Sequence, residues 1–175
     1  MSAPVHACVG LGANLGQPGA ALRAAAAALD SLPDTRLLAL SRLYRTPAWG
    51  HTDQPDFVNA AALLETGLAP QALLAALLRI EREAGRERDL DSPRWGPRVL
   101  DLDLLLYAGR MIDEPGLRVP HPHLHERAFA LVPLAEIAGS EPFPGRGSVA
   151  DALRGLDRAG VEALSAASSG LQGTD

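Results

Sequence analysis

The apolar run from His6 to Leu11 predicts a strand, and the turn-rich Gly12-Ala13-Asn14-Leu15-Gly16 leads from it into an alanine-rich helix between about Gly19 and Leu32, ended by Pro33-Asp34. Leu37 to Tyr44 and Phe57 to Leu64 predict two further strands. The connection between them, Arg45 to Asp56, is rich in Pro, Gly, Thr and Asp and long for a hairpin, and long loops on small domains often carry function. A second helix starts at Ala69-Pro70, where proline is tolerated in the first turn, and stops near Gly85; Leu73, Leu77, Ile80 and Ala84 form its apolar stripe beside Leu74 and Leu78. Arg86 to Pro97 is a charged connection into a strand whose period is two. Leu100, Leu102, Leu104 and Leu106 fall on one face of that strand, and Asp101, Asp103 and Leu105 on the other. Met111-Ile112 adds a short strand after a turn at Ala108-Gly109, Val119 to Ile137 opens with prolines and histidines and continues with a helical pattern, and Ser148 to Leu156 predicts a short helix.

The order is βαββαβ with additions, which predicts an α+β sandwich of ferredoxin-like type, its helices covering one face of the sheet and extra helices following at the C-terminal end. With 175 residues, 47% of them hydrophobic, one domain over residues 1–164 is expected, followed by a frayed tail at 165–175. Cys8 lies in an apolar run, has no second cysteine to pair with and is expected in the core of a protein from a reducing compartment. Met1 to Pro4 makes no signal peptide and no apolar run approaches the roughly 20 residues that span a bilayer, so a cytoplasmic protein is expected. A formal charge of -5 argues against broad binding to nucleic acid or anionic membrane through net charge, although a local basic site can persist inside an acidic protein. A monomer is expected.

The charge is unevenly placed. All 16 basic residues are arginine, and Arg79, Arg82, Arg86, Arg88, Arg94 and Arg98 crowd one window together with Glu81, Glu83, Glu87, Asp89 and Asp91. Part of that density is explicable as pairing along a helix surface. The absence of lysine removes the Walker-type phosphate lysine and Schiff-base chemistry, so any phosphate clamp must use the paired donors of arginine. Arg94-Trp95-Gly96-Pro97-Arg98 runs straight into the strand bearing Asp101 and Asp103. Two carboxylates on one strand face stand roughly 6.5 to 7 Å apart along the backbone, close enough to converge on a hard cation, and magnesium takes one or two carboxylates together with substrate phosphates. The alternative is a half-buried edge strand with a solvated acidic face.

Other motifs are weaker. Gly10-x-Gly12 follows a strand, but Leu15 stands where a dinucleotide fingerprint needs its third glycine. His121-Pro122-His123-Leu124-His125 has three imidazoles, yet its prolines disfavour the strand that would align them as zinc ligands; His121 suits a phosphate donor, followed by Arg127, and His123 and His125 are expected at the surface. Among few aromatic residues, Phe57 and Phe129 could sandwich a flat heterocycle, with Asn59 on the strand face of Phe57 offering donors and an acceptor. Ordinary strand packing explains these residues equally well when each is taken alone.

Gly12 to Gly16, Tyr44-Arg45-Thr46-Pro47, Asp53 to Ala60, Ile80-Glu81, Arg94 to Asp103 and Val119-Pro120-His121-Pro122, in that order, closely resemble the 6-hydroxymethyl-7,8-dihydropterin pyrophosphokinase family over roughly positions 5 to 137. The resemblance implies a ferredoxin-like core and the transfer of pyrophosphate from ATP, the co-substrate, to a reduced pterin alcohol in folate biosynthesis, with release of AMP. It implies that Asp101 and Asp103 hold a pair of Mg2+ ions, that Arg88 and Arg98 act catalytically on phosphate oxygens, and that Trp95 helps to close a lid. Glu81, His121 and Arg127 would line the nucleotide site, and Thr46, Pro47, Trp49, Phe57, Asn59 and Phe129 the pterin pocket. The chain departs from the family pattern at Ala13, Leu78 and Pro122, where serine, glutamine and tyrosine are common. A nucleotide-binding module without turnover and a metal-dependent hydrolase built on the aspartates and histidines are the competing readings.

Overall fold

Val5 to Ala13 forms the first strand, β1, an interior strand of an antiparallel sheet in a computed structural model that describes residues 3–14, 16–47, 56–85 and 100–164. The chain continues through helix α1 (Pro18–Asp30), strands β2 (Thr35–Leu40), β3 (Tyr44–Thr46) and β4 (Phe57–Thr66), helix α2 (Pro70–Gly85) and strand β5 (Asp101–Tyr107). A hairpin of β6 (Ile112–Glu114) and β7 (Leu117–Val119), a 3-10 turn at Leu124–Glu126, helices α3 (Ala128–Ala138) and α4 (Val149–Arg154) and a short strand β8 (Glu162–Ala163) complete the order. Among the described residues the sheet runs β5-β1-β4-β3-β8, with β2 also on β4. The connection Arg86 to Pro97 and the expected frayed tail lie outside the described residues.

The alternation along each strand sorts two cores. Ala7, Val9 and Leu11 of β1, Ala60, Ala62 and Leu64 of β4 and Leu102 and Leu104 of β5 pack against Leu22 and Leu29 of α1 and Leu73, Leu77 and Ile80 of α2. On the opposite face Cys8, Ala61, Leu63, Leu105 and Leu106 meet Leu131 and Leu134 of α3, with Phe143, Val149 and Leu153 behind them. Helices therefore cover both faces of the sheet, correcting the expectation of one. The α3 pattern is strongly apolar because that helix is packed into a core and not laid over an exposed edge.

Two strands differ from the periodic pattern for identifiable reasons. Cys8 pairs with Leu106 but Val9 pairs with Leu104, so Leu105 is an extra residue and the alternation resets. Leu106 consequently joins Leu105 in the second core instead of sharing a face with Leu104, and Tyr107 turns to the first, where its hydroxyl donates to Leu68 O at 2.5 Å. The expected strand Leu37 to Tyr44 is divided into β2 and β3 by the buried Ser41. Its N–H donates to Ala61 O, while its Oγ, in place of a backbone carbonyl, accepts from Ala61 N at 2.9 Å and donates to Arg42 O at 2.7 Å. Leu78 is 42% exposed and so stands off the buried stripe of α2.

Ser41→Ala leaves the Ala61 N–H without its acceptor in a buried ladder, and an unsatisfied buried group of this kind costs about 1–3 kcal/mol. The urea midpoint is expected to fall with an unchanged slope; an unaltered midpoint would show that the hydroxyl does not hold the β2–β3 break together.

Candidate functional site

β5 lies at one end of the described sheet, and an edge strand exposes backbone groups that need partners. Glu81, on the last turns of α2, supplies one: its Oε2 accepts from Leu102 N at 2.6 Å. The N–H of His121 supplies another, donating to Leu105 O at 3.1 Å. These two contacts bring α2 to the backbone between the two aspartates and the segment after β7 to the strand just beyond them. A cavity of about 490 Å³ opens there, lined by Leu74, Leu78 and Glu81 of α2, by Asp101 to Leu104, by Glu114 and Gly116 to Arg118 of the hairpin, and by His121 and Pro122.

The charges in this cavity act on one another. Burial pushes the Glu81 carboxyl up from its ordinary 4.5 to about 7; the hydrogen bond from Leu102 opposes the shift, and the negative charges of Asp101 and Asp103 add to it. His121 is held below its ordinary value, first by burial and then by Arg127 and His123, with Asp101 pulling the other way. The ring is thus neutral near pH 7. The N–H of His123 faces its Nδ1 at 3.4 Å, leaving Nε2 to carry the proton as a donor. His123 itself is exposed and paired with Glu126 at 3.1 Å. Among the described residues no group of three or more His, Cys, Asp or Glu side chains is placed to hold a metal ion.

The sheet register joins this cavity to the second group of expected residues. Asp101 pairs with Gly12, Gly12 with Asn59, and Asn59 with Tyr44, so all four stand in one row across β5, β1, β4 and β3 and share a face. Asp103, Gly10 and Ala61 form the next row. Asp101 and Asn59 are two strand spacings apart, about 10 Å. Between them the floor has no side chain, and a Cβ added at Gly12 would stand 3.6 Å from Asn59 Nδ2. The apolar half of this face ends at Cys8, Ala61 and Leu105; beyond it come the glycines, Asn59, Phe57 and the aspartates.

Asn59 is 7% exposed, and among the described residues its Oδ1 is a buried acceptor with no hydrogen-bond partner. Buried polar atoms are nearly always paired, so an orphan of this kind marks a place where an incoming donor would be favoured. Thr46, also buried, is directly opposite the half-buried Phe57 on the same face, and Pro47 follows it at the exposed end of β3. Arg127, at the start of α3, lies with its guanidinium carbon 5.7 Å from the Phe129 ring centroid.

Of the expected site residues, then, Glu81, Asp101, Asp103 and His121 line one cavity, Arg127 lies within electrostatic reach of His121, and Thr46, Phe57 and Asn59 share the sheet face of the aspartates. Trp49, Arg88, Trp95 and Arg98 lie outside the described residues. Sequence reasoning missed Gly12 as a bare floor, although it falls on the same alternate positions of β1 as Cys8. It also missed Glu114 and Arg118 in the cavity wall, which carry no motif of their own.

A family model described as 7,8-dihydro-6-hydroxymethylpterin-pyrophosphokinase matches residues 8–139. A Pseudomonas aeruginosa protein named 2-amino-4-hydroxy-6-hydroxymethyldihydropteridine pyrophosphokinase is 47% identical over 156 residues, covering 89% of this chain and 94% of that protein. A relative of the same name from Methylorubrum extorquens is 46% identical over 157 residues, covering 90% and 97%. In structure, the chain is similar to Plasmodium falciparum HPPK-DHPS, with a TM-score of 0.68 at 12% identity over 88% of this chain; it spans 44% of that one. With the match reaching from the middle of β1 to the end of α3, and relatives this similar along nearly their whole length, the chain belongs to the 7,8-dihydro-6-hydroxymethylpterin-pyrophosphokinase family.

Proposed function

We infer that this chain transfers pyrophosphate from ATP to the hydroxymethyl group of 6-hydroxymethyl-7,8-dihydropterin in folate biosynthesis, releasing AMP. The observation that carries the reading is the row Asp101–Gly12–Asn59, which sets a carboxylate pair and an orphaned buried amide oxygen on one sheet face with a glycine floor between them. An acceptor heterocycle and a polyphosphate donor could meet over that floor without a side chain separating them. The sheet order, with β5 and β4 flanking β1 and with β2 and β3 beyond β4, supports a ferredoxin-like core.

The donor set fits magnesium. Asp101 and Asp103 are half-exposed carboxylates on one face, the oxygen ligands that magnesium takes together with waters and phosphate oxygens. Those two residues would hold Mg2+, a pair of ions in the full proposal, and the bound metal would neutralise triphosphate charge and align attacking and leaving oxygens. Glu81 anchors the edge of β5 beneath them through Leu102. Neutral His121 would give a hydrogen bond to a phosphate oxygen through Nε2, and Arg127 would add charge; Arg88 and Arg98 would clamp the transferred group, with Trp95 over the nucleotide.

On the acceptor side, Asn59 would read the edge of the pterin ring, Phe57 and Phe129 would stack on its faces, and Thr46, Pro47 and Trp49 would complete the pocket. The substrate hydroxyl oxygen attacks the β-phosphorus, a new P–O bond forms, the bond to the α-phosphate oxygen breaks, and AMP leaves. Little covalent work falls to the protein, so orientation and charge neutralisation supply the acceleration. In this reading the enzyme is a monomer with two small-molecule substrates, acting in the cytoplasm without nucleic acid or membrane. Among the described residues no helix is long and apolar enough to cross a membrane.

With ATP, magnesium and the dihydropterin, AMP is expected to appear in step with pyrophosphorylated pterin. ADP, or phosphate release without an acceptor, would overturn the reading. The double variant Asp101→Asn, Asp103→Asn is expected to remain folded and to lose about a thousandfold or more of the magnesium-dependent rate, the loss of several kcal/mol of charge stabilisation; near-normal turnover would remove the aspartates from the mechanism.

Glu81 gives a separate test in magnesium-free buffer. Its folded pKa lies above its unfolded one, so between pH 4.5 and about 7 the unfolded chain ionises first and the parent protein loses stability as pH rises. Glu81→Gln keeps an acceptor for Leu102 and has no such loss. Urea unfolding across that window is expected to favour the variant increasingly toward neutral pH, and a pH-independent difference would contradict the assigned burial and repulsion.

A further inference from the structure

Outside the residues already given a role, the most committed polar side chain is Glu136 on α3. Both of its oxygens are directed at the entry to β3: Oε2 accepts from Arg42 N at 2.8 Å, and Oε1 accepts from Arg42 Nε at 3.0 Å and from the Tyr44 hydroxyl. Arg42 also lies over the Tyr44 ring, its guanidinium carbon 5.6 Å from the centroid. Burial raises the Glu136 pKa, but the bonds from Tyr44 and Arg42 outweigh burial and hold the carboxyl below its ordinary range, so it is a charged acceptor near neutral pH. Charge-assisted hydrogen bonds are the stronger and more directional kind.

Tyr44 is 5% exposed and sits directly opposite Asn59 in the β3–β4 register. Thr46 and Phe57 form the adjoining pair. On the helix, Phe129 and Glu136 are two turns apart, about 10 Å along the axis, and project from the same face. Among the described residues α3 also packs on the sheet through the apolar Leu131, Leu134 and Ala138. Apolar burial is non-directional and does not by itself fix how far a helix slides or rolls over a sheet. Pro133 loosens the first turn further, since it has no N–H to donate to the Phe129 carbonyl.

We propose that Glu136 is a positioning residue for the acceptor slot: bonded to Tyr44 and to the Arg42 backbone, it fixes the α3 face that carries Phe129 at a set place over the strands that carry Thr46, Phe57 and Asn59. One hydrogen-bonded carboxylate thereby ties the helix wall of the slot to its strand wall. The inference rests on the reading of that slot as the dihydropterin site. It assigns no chemistry to Glu136 and gives no reason for the nucleotide side to change.

The test is steady-state kinetics with each substrate varied in turn, on the parent protein, Glu136→Gln, Tyr44→Phe, their double variant and Arg42→Ala. Loss of the clamp is expected to raise the KM for dihydropterin about tenfold while kcat at saturation and the KM for ATP stay within about twofold, the signature of lost acceptor binding and not of lost transition-state contacts. The double variant should add little to either single change, because each already loses the charge-assisted bond between Tyr44 and Glu136. Arg42→Ala keeps its backbone N–H and the Tyr44 bond, and should stay near the parent. A folded Glu136→Gln or Tyr44→Phe protein with an unchanged dihydropterin KM, or with both KM values raised together, overturns the proposal. Should Glu136→Gln fail to fold, Tyr44→Phe decides the matter alone. A parent protein that releases no AMP with the dihydropterin defeats the slot assignment itself, a different result from a working parent with indifferent variants.

Discussion

Everything at this site follows from the pairing register of β1 with its two neighbours. Because side chains alternate along a strand, a slip of one residue would carry Asp101 and Asp103 beneath α2 and turn Leu102 and Leu104 outward. The register is held because the first core needs Val9, Leu11, Leu102 and Leu104 on the α1–α2 side. Burial of leucine and valine therefore aims the carboxylates, although no leucine touches the chemistry. The same pairing carries Asn59 and Tyr44 into line with Asp101, so the two halves of the site inherit their separation from the spacing of strands.

The far face of the sheet shows what this costs. Toward α3 it is apolar and closed by Leu131 and Leu134; toward the site it gives up side-chain packing at Gly12 and leaves an acceptor of Asn59 unmatched, while at the β5 edge Glu81 of α2 is crowded against two aspartates. Each of these features is unfavourable in the ligand-free chain and becomes favourable if a cation, a polyphosphate and a donor-bearing heterocycle arrive together. A surface selected only for stability would carry a larger residue at position 12 and a neutral one at 81. The strain is distributed over three strands and a helix, so no single element has to bear it.

The periodic elements were legible in the sequence because each has one dominant face: α1, α2, β1, β4 and the alternate aspartates of β5 lie close to where their patterns place them. The departures arise where a single residue alters a ladder. Leu105 inserts into β5 and reverses the faces of Leu106 and Tyr107, and Ser41 puts a hydroxyl where the β2–β4 ladder needs a carbonyl. Neither is visible as hydropathy. The second layer of helices was hidden for a different reason, since the apolar run of α3 identifies a buried helix without saying against which face it lies. Asp101, Asp103, Asn59 and Phe57 were legible from alternation and from the family motif. Glu136 was not, because its partners Arg42 and Tyr44 are remote in sequence and its role exists only once α3 lies over β3.

The absence of lysine shapes the donor half of the pyrophosphokinase reading. A lysine ammonium can follow a migrating charge on a flexible stem, whereas a guanidinium offers a planar fork whose geometry must be set in advance. His121 does not relieve that demand, because burial and Arg127 keep its ring neutral and leave it able to donate a hydrogen bond but not a full charge. In the proposed reading, compensation of a triphosphate would then fall to arginines and to metal that Asp101 and Asp103 would hold, which calls for fixed placement. A rigid sheet floor and an edge strand anchored by Glu81 are the means by which this chain would supply that placement.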